Sequence, residues 1–375
     1  MKILHVVGTR PNFMKAAPVY RELRRYPRVH QVLVHTGQHY DVNMSDIFFQ
    51  QLRIPAPDVN LRVGSGSHAQ QTAEIMSRFE PVVMQQKPDY VLVYGDVNST
   101  VATALVCSKL GIKVAHVEAG LRSFDRAMPE EINRLLTDQL SDLLFTPSED
   151  GNRNLEREGV STKKVHLVGN VMVDTLIEML PEADNHILPN LPLRFALVTL
   201  HRPANVDNIA WLKEMLSTLH AISSEMAVLF PVHPRTRQRM SEVVLLAENK
   251  NRLRLLEPLP YISFLALQKR AEVVITDSGG IQEETTYLGT PCLTVRDNTE
   301  RPITVDMGTN ILVGTDTQRL KREIERIVSG EKKKGFIPPL WDGNTSKRIA
   351  EILISAPTED HHRPSLSASA KVAVV

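Results

Sequence analysis

The chain has 375 residues, 42% of them hydrophobic and 23% charged, proportions that suit a globular enzyme of two domains rather than one. Its 44 lysines and arginines balance 43 aspartates and glutamates to a net charge of +1, so no global basic field exists to hold nucleic acid and any anion site must be local. No stretch approaches the ~18 uninterrupted apolar residues of a membrane span. The opening run of residues 1–7 is too short for a signal peptide, and Cys107 and Cys292 lie far apart in apolar segments, which together predict a cytoplasmic protein with reduced thiols and no membrane partner.

Strands and helices alternate from end to end. Strands are predicted at 2–7, 31–35, 90–94, 113–117, 143–146 and 165–168, then at 195–200, 227–232, 252–256, 272–276, 291–295 and 310–313, with helical spacing between them, as in 210–223. Short β-branched runs, apolar on both sides, are those of parallel sheets covered by helices on both faces. The predicted fold class is therefore α/β, with two Rossmann-like doubly wound domains. Pro181, Pro189 and Pro192 interrupt a polar stretch between Leu180 and Leu193. This sets the expected division: 1–180 as an N-terminal domain, 181–355 as a C-terminal domain whose last helix is free to pack back on the first, and 356–375 as a disordered tail. Ligands of open α/β sheets bind beyond the carboxyl ends of the strands, so two such halves predict a site in the cleft they face across. Gly64-Ser65-Gly66-Ser67 lacks the context of a nucleotide loop and reads as a mobile loop.

The strand ends carry the chemistry. The first ends in Gly8-Thr9-Arg10-Pro11, with Lys15 one turn into the next helix; cations at a helix start oppose its dipole, which makes sense if an anion lies between them, although a solvated basic turn is an equal alternative. The strand at 90–94 ends in Gly95-Asp96, where Asp96 suits a helix cap as well as a catalytic carboxylate. Glu118, in Val117-Glu118-Ala119-Gly120-Leu121-Arg122, stands at an apolar strand end and is either paired with an arginine or poised for acid–base work. Pro129-Glu130-Glu131 opens a helix on which Glu130 and Arg134, four apart, share a face and can form a salt bridge. Asp96, Glu118 and Glu130 come from successive strand-end loops, which brings three carboxylates to one rim, where mutual repulsion raises at least one pKa.

In the second half His201-Arg202 and His233-Pro234-Arg235 each put histidine and arginine at a strand end. The most informative stretch is Val273 to Glu284, a β-branched run ending in Asp277-Ser278-Gly279-Gly280 and then a helix with two carboxylates. Unpaired N–H groups and the dipole at that helix start favour a phosphate, the glycines let backbone approach it, and Ser278 can both cap the helix and donate to the same ligand. Glu284, one turn on, suits a ribose diol. Arg301 follows the next strand. No metal-ligand spacing, dinucleotide fingerprint or Walker lysine appears, so no metal and no cofactor is predicted.

These motifs, in order from residue 2 to about residue 355, closely resemble the non-hydrolysing UDP-N-acetylglucosamine 2-epimerases. The resemblance implies a glycosyltransferase-B-like architecture, a homodimer and a UDP-sugar substrate. It implies Asp96, Glu118 and Glu130 as catalytic carboxylates supported by Arg134, with His201 completing the set. It further implies Arg10 and Lys15 meeting the substrate, His233, Ser278, Gly279, Gly280 and Arg301 holding the diphosphate, Glu284 the ribose, and Phe264 near the uracil. Two departures stand out: His201-Arg202-Pro203-Ala204 replaces the family's His-Arg-Arg-Glu, and Asp41 and Gln70 differ from members with a second, activating substrate site. The reaction implied is epimerisation at carbon 2 through elimination of UDP, giving 2-acetamidoglucal, and its readdition. A hydrolysing epimerase, a UDP-sugar glycosyltransferase of the same fold and a non-catalytic nucleotide-sugar-binding protein are the alternatives.

Overall fold

A computed structural model describes residues 1–38, 49, 51–186, 189–232, 234–241 and 252–356. Every predicted strand forms. The strands are β1 (Lys2–Val7), β2 (His30–His35), β3 (Val59–Asn60), β4 (Tyr90–Tyr94), β5 (Lys113–Val117), β6 (Leu143–Thr146), β7 (Val165–Leu167), β8 (Phe195–Thr199), β9 (Ala227–Pro231), β10 (Leu253–Leu256), β11 (Val273–Thr276), β12 (Cys292–Thr294) and β13 (Asn310–Leu312). Only β3, two residues long, carries too little pattern to be read from sequence.

Two parallel sheets result. One has the order β3-β2-β1-β4-β5-β6-β7 and the other β10-β9-β8-β11-β12-β13. In each, strand order reverses at one point, between β1 and β4 and between β8 and β11, and ligands of doubly wound sheets bind outside the carboxyl ends at that reversal. Alternation along the strands of the second sheet feeds two cores. Val198, Val228, Phe230 and Ile275 face Leu212, Met215 and Leu219 of the helix Ile209–Ile222, while Leu197, Leu229 and Val274 pack with Leu267 and Ala271. In the first sheet Leu4, Val6, Val91 and Val93 pack with Phe79 and Val83 of the helix His68–Gln86.

By compactness one unit comprises Met1–Val117, Leu136–Leu143 and residues from Lys347 on, and the other Glu118–Leu135 and Leu144–Ser346. Among the described residues no helix is long and apolar enough to cross a membrane. Cys107 and Cys292 are both buried, and neither forms a disulfide.

One local expectation changes. The helix Val171–Asn185 runs through Pro181 rather than stopping at it, since buried Leu176, Met179 and Ala183 keep its apolar face packed. The Gly64–Ser67 segment leads directly into the 19-residue helix His68–Gln86. Ser67 is its N-cap, accepting from the Gln70 N–H at 3.3 Å and closing a capping box. The tail from residue 357 lies outside the described residues, as does Asp41.

Gly120, two residues past Glu118, has a φ of +79°, and a Cβ there would come within 2.6 Å of the Gly151 carbonyl oxygen. Gly120→Ala is therefore expected to cost roughly 2–4 kcal/mol of stability from overpacking and backbone strain together. Urea unfolding measures this, and a loss below about 0.5 kcal/mol would contradict it.

Candidate active site

At the end of β1, Thr9 is the N-cap of the helix Arg10–Leu23. Asn12 organises the turn: its Oδ1 accepts from the Gly8 N–H at 3.1 Å, the Thr9 N–H at 3.0 Å and the Thr9 hydroxyl at 3.0 Å. Its Nδ2 donates to the Tyr94 carbonyl at 2.8 Å, tying the end of β1 to the end of β4. Arg10 is exposed here and Lys15 is buried. Asp96 is half-buried, but the N-cap of the helix Asn98–Lys109 is Val97, so the capping role open to Asp96 in the sequence is not the one it takes.

At the second reversal the loops after β8 and β11 meet on Asp277. This buried carboxylate accepts from the His201 N–H at 3.1 Å, the Arg202 N–H at 2.9 Å and Asn205 Nδ2 at 3.1 Å. The His201 Nδ1 lies 3.0 Å from its other oxygen. Burial alone would push Asp277 up, but the hydrogen bond and charge of His201 with the backbone donors outweigh it and hold the carboxyl below the usual range. His201 thus keeps an exposed ring whose orientation Asp277 sets.

Ser278 occupies the N-cap position of the helix Gly279–Leu288, yet its side chain makes no capping bond. Its backbone N–H donates to the Thr276 hydroxyl at 3.0 Å and its carbonyl accepts from Gln282 Nε2 at 3.3 Å. The two glycines differ. A Cβ on Gly279 would come within 2.7 Å of Glu300 Oε1 and crowd the Arg301 guanidinium, whereas a Cβ on Gly280 would meet nothing within 4 Å. The first glycine therefore serves the protein's own packing, and the second leaves the helix start open. One turn on, Glu284 is buried and accepts from the Tyr261 hydroxyl at 2.9 Å. Burial pushes its carboxyl from an ordinary 4.5 up to about 7. Phe264 is half-buried on the helix Tyr261–Arg270 and packs beside Leu267 and Val274. His233 lies outside the described residues.

Arg301 sits among three carboxylates. Its Nη2 is 2.6 Å from Glu118 Oε1 and its Nε 2.9 Å from Glu283 Oε1, while Nη1 pairs with Glu300. Glu300 also takes Arg296 Nη2 at 2.7 Å and has Arg202 Nη2 at 3.7 Å. Burial opposes ionisation of Glu300, but Arg301, Arg296 and Arg134 outweigh it and hold its carboxyl well below the usual range. The sequence offered Glu118 two readings, and the arginine partner exists. Glu118 is buried at a left-handed φ of +75°, an uncommon conformation for a residue with a side chain. Its backbone N–H is fixed by the Phe145 carbonyl at 3.1 Å. Each of the three guanidinium nitrogens of Arg301 thus has a carboxylate beside it.

Glu130 opens the helix Pro129–Leu140, half-buried. Arg134 pairs with Glu131, three residues back, instead of with Glu130 four back. The reason lies in the preceding loop. Glu131 also accepts from the Ser123 N–H at 2.9 Å, the Ser123 hydroxyl at 3.0 Å and the Phe124 N–H at 2.9 Å, so it turns inward and draws Arg134 with it. Asn12, Asp277, Glu283 and Glu300 were not singled out by sequence. A short polar residue three positions past Thr9, and an acid closing a β-branched run, were the signals available for the first two.

A family model described as UDP-N-acetylglucosamine 2-epimerase matches residues 21–354. A UDP-N-acetylglucosamine 2-epimerase of Methanococcus maripaludis is 44% identical over 365 residues, covering 94% of this chain and 98% of that protein. A UDP-2,3-diacetamido-2,3-dideoxy-D-glucuronate 2-epimerase of Pseudomonas aeruginosa is 42% identical over 356 residues, with 94% and 99% coverage. Among solved structures, the Methanocaldococcus jannaschii UDP-GlcNAc 2-epimerase in complex with UDP-GlcNAc and UDP superposes with a TM-score of 0.87 at 44% identity, over 95% of this chain and all of that one. A lipopolysaccharide outer core galactosyltransferase, 13% identical with a TM-score of 0.53, shares the fold alone.

Two measurements probe this site. Arg301→Met leaves Glu118, Glu283 and Glu300 without their shared cation and is expected to cost about 3–5 kcal/mol of stability; a loss under about 1 kcal/mol in urea would show the cluster to be loosely coupled. Glu284 is protonated more readily folded than unfolded, so its contribution to stability is full below about pH 4.5 and is lost as pH rises through about 7. Glu284→Gln, neutral throughout, should match the parent near pH 4 and exceed it by on the order of 3 kcal/mol at pH 8. A difference that does not grow with pH would refute this.

Proposed function

For a chain that belongs to the UDP-N-acetylglucosamine 2-epimerase family, we propose reversible epimerisation at carbon 2 of UDP-N-acetylglucosamine to UDP-N-acetylmannosamine, without net hydrolysis. The proton at carbon 2 is not next to a carbonyl, so direct deprotonation would be very costly. Elimination avoids that cost. A carboxylate takes the carbon-2 proton, the bond from carbon 1 to the diphosphate oxygen breaks with its electron pair leaving on UDP, and a double bond forms between carbons 1 and 2 of 2-acetamidoglucal. Readdition of the diphosphate oxygen to carbon 1, with protonation of carbon 2 on the opposite face, gives the manno product. One group must act on each face, which the set Asp96, Glu118 and Glu130 provides.

The observation that carries this reading is Glu118: a buried carboxylate, held at a strained backbone position by Arg301, whose guanidinium also borders Gly279 of the phosphate-type turn. In this reading the departing diphosphate is stabilised by the N–H groups at Ser278–Gly280 and by His201, oriented by Asp277. Arg301 positions Glu118. Glu284 receives the ribose, Phe264 borders the uracil, and Arg10 and Lys15 meet the substrate from the β1 turn, with Arg134 steadying the helix start that carries Glu130. The physiological form is a homodimer. A second substrate is favoured by one finding: at 42% identity the Pseudomonas aeruginosa relative is named for a 2,3-diacetamido glucuronate sugar, so a substituent at carbon 3 is the alternative to an unmodified N-acetylglucosamine.

Incubation of the protein with each UDP-sugar in deuterated water, followed by proton NMR, tests the reading. Expected are a manno product from one of them, deuterium at carbon 2 and no accumulation of free UDP. Retained hydrogen at carbon 2 would rule out the elimination, and steady release of UDP would make the enzyme a hydrolysing one. Glu118→Gln and Asp96→Asn should each lower kcat by about 10²–10⁴-fold, the usual worth of a general acid or base, with UDP affinity within a few-fold of the parent. A collapse of UDP affinity in either variant, with turnover spared, would refute the assignment.

A further inference from the structure

The turn that carries Asp96 is fixed on every side. Gly95 adopts a left-handed φ of +64°, and its N–H donates to the Val117 carbonyl at 3.0 Å. The Tyr94 carbonyl accepts from Asn12 Nδ2 at 2.8 Å and from the Thr100 hydroxyl at 3.0 Å. The remaining group, the Gly95 carbonyl, lies 2.8 Å from His116 Nε2. His116 and Asp138 are both completely enclosed, at 0% and 1% exposure, and His116 Nδ1 is 2.6 Å from Asp138 Oδ1.

Proton placement in this pair follows from its partners. A carbonyl oxygen only accepts, so Nε2 carries a hydrogen and donates to Gly95. At 2.6 Å from a carboxylate oxygen, Nδ1 cannot present a lone pair to a lone pair, so a second proton lies between them. The dyad therefore holds one proton more than a neutral imidazole and a carboxylate would. Burying such a charged or proton-sharing pair costs several kcal/mol of desolvation, and an apolar pair of similar volume would pack the strand to the helix as well. What an apolar pair cannot supply is a donor to the Gly95 carbonyl. That carbonyl belongs to the planar peptide unit that ends at the Asp96 Cα, so holding it sets the direction in which the Asp96 side chain leaves the backbone.

We propose that His116, oriented by Asp138, is a positioning residue for Asp96. The proposal rests on the reading of Asp96 as a catalytic carboxylate. The pair itself touches no reacting atom, and its effect should appear in kcat while nucleotide binding stays as it was.

The test uses the full chain with UDP-N-acetylglucosamine as substrate, kcat and KM from initial rates, and UDP affinity from calorimetry. Gln carries its amide nitrogen where Nε2 stands, so His116→Gln keeps a donor for Gly95; His116→Asn is too short to reach it. His116→Asn is expected to lower kcat about 100-fold, the scale of a misplaced catalytic group, with UDP affinity changed less than about threefold. His116→Gln should recover at least about tenfold of that loss, and Asp138→Asn, which loosens the ring while leaving Nε2 protonated, should fall between the two. Equal kcat for the Asn and Gln variants, as packing or folding defects alone would give, or parental kcat for Asp138→Asn, overturns the proposal. Asp96→Asn separates the two levels. If it retains activity, or if the parent turns over no substrate, the reading of Asp96 fails and the inference falls with it; if it is inactive while the Asn and Gln variants match, only the inference fails.

Discussion

Arg301 is the constraint around which the candidate site is built. One guanidinium reaches carboxylates from three separate stretches of chain: Glu118 after β5, Glu283 on the helix after β11, and its own neighbour Glu300. Such a group depends on its ion pairs, because removing charges from water costs several kcal/mol each and close partners are what offset that. The requirement propagates outward. Gly279 has to lack a side chain to admit the guanidinium, Arg296 pairs with the second oxygen of Glu300, and Glu118 meets its partner from a left-handed backbone position.

The two sheets solve a common problem by a common device. Each has a reversal in strand order that leaves a gap between two strand-end loops, and each bridges it with one short polar side chain. In the first sheet Asn12 bonds Gly8 and Thr9 on one side and the Tyr94 carbonyl on the other. In the second, Asp277 gathers the backbone of His201 and Arg202 from across the gap. Both fix backbone amides and carbonyls beside the place where ligands of this fold class bind, so the groups that would meet a substrate are held before it arrives. Preorganised dipoles of this kind stabilise developing charge without reorganisation during the reaction.

Charge within the second sheet's loops is graded by burial and partners. Asp277 and Glu300 stay ionised because cations and N–H donors outweigh their burial, whereas Glu284, with a tyrosine hydroxyl as its donor, is pushed up to about 7. A carboxyl that is neutral half the time near pH 7 can both donate to and accept from a diol, which suits the ribose role proposed for it.

The strand pattern determined the fold class by itself. Runs such as 90–94 and 273–276 are apolar on both faces and β-branched, and only a parallel sheet between helix layers buries both faces. The helix start at Ser278–Gly280 was legible too, since the lack of a side chain at two successive glycines is a local property. Partners were not legible, because they depend on which distant chain segments meet. Sequence spacing paired Arg134 with Glu130, while the loop bonds of Glu131 gave that arginine to Glu131. Arg301 read as a ligand-binding cation, and nothing around it in sequence announced its three carboxylate neighbours, one of them 183 residues away. Asp96 suited a cap as well as a catalytic carboxylate in the sequence, whereas the N-cap of the helix Asn98–Lys109 is Val97. His116 and Asp138, 22 residues apart on a strand and a helix, carried no mark of their contact. Short-range preference is written residue by residue; pairing of buried charge is decided only when the tertiary structure has removed the water.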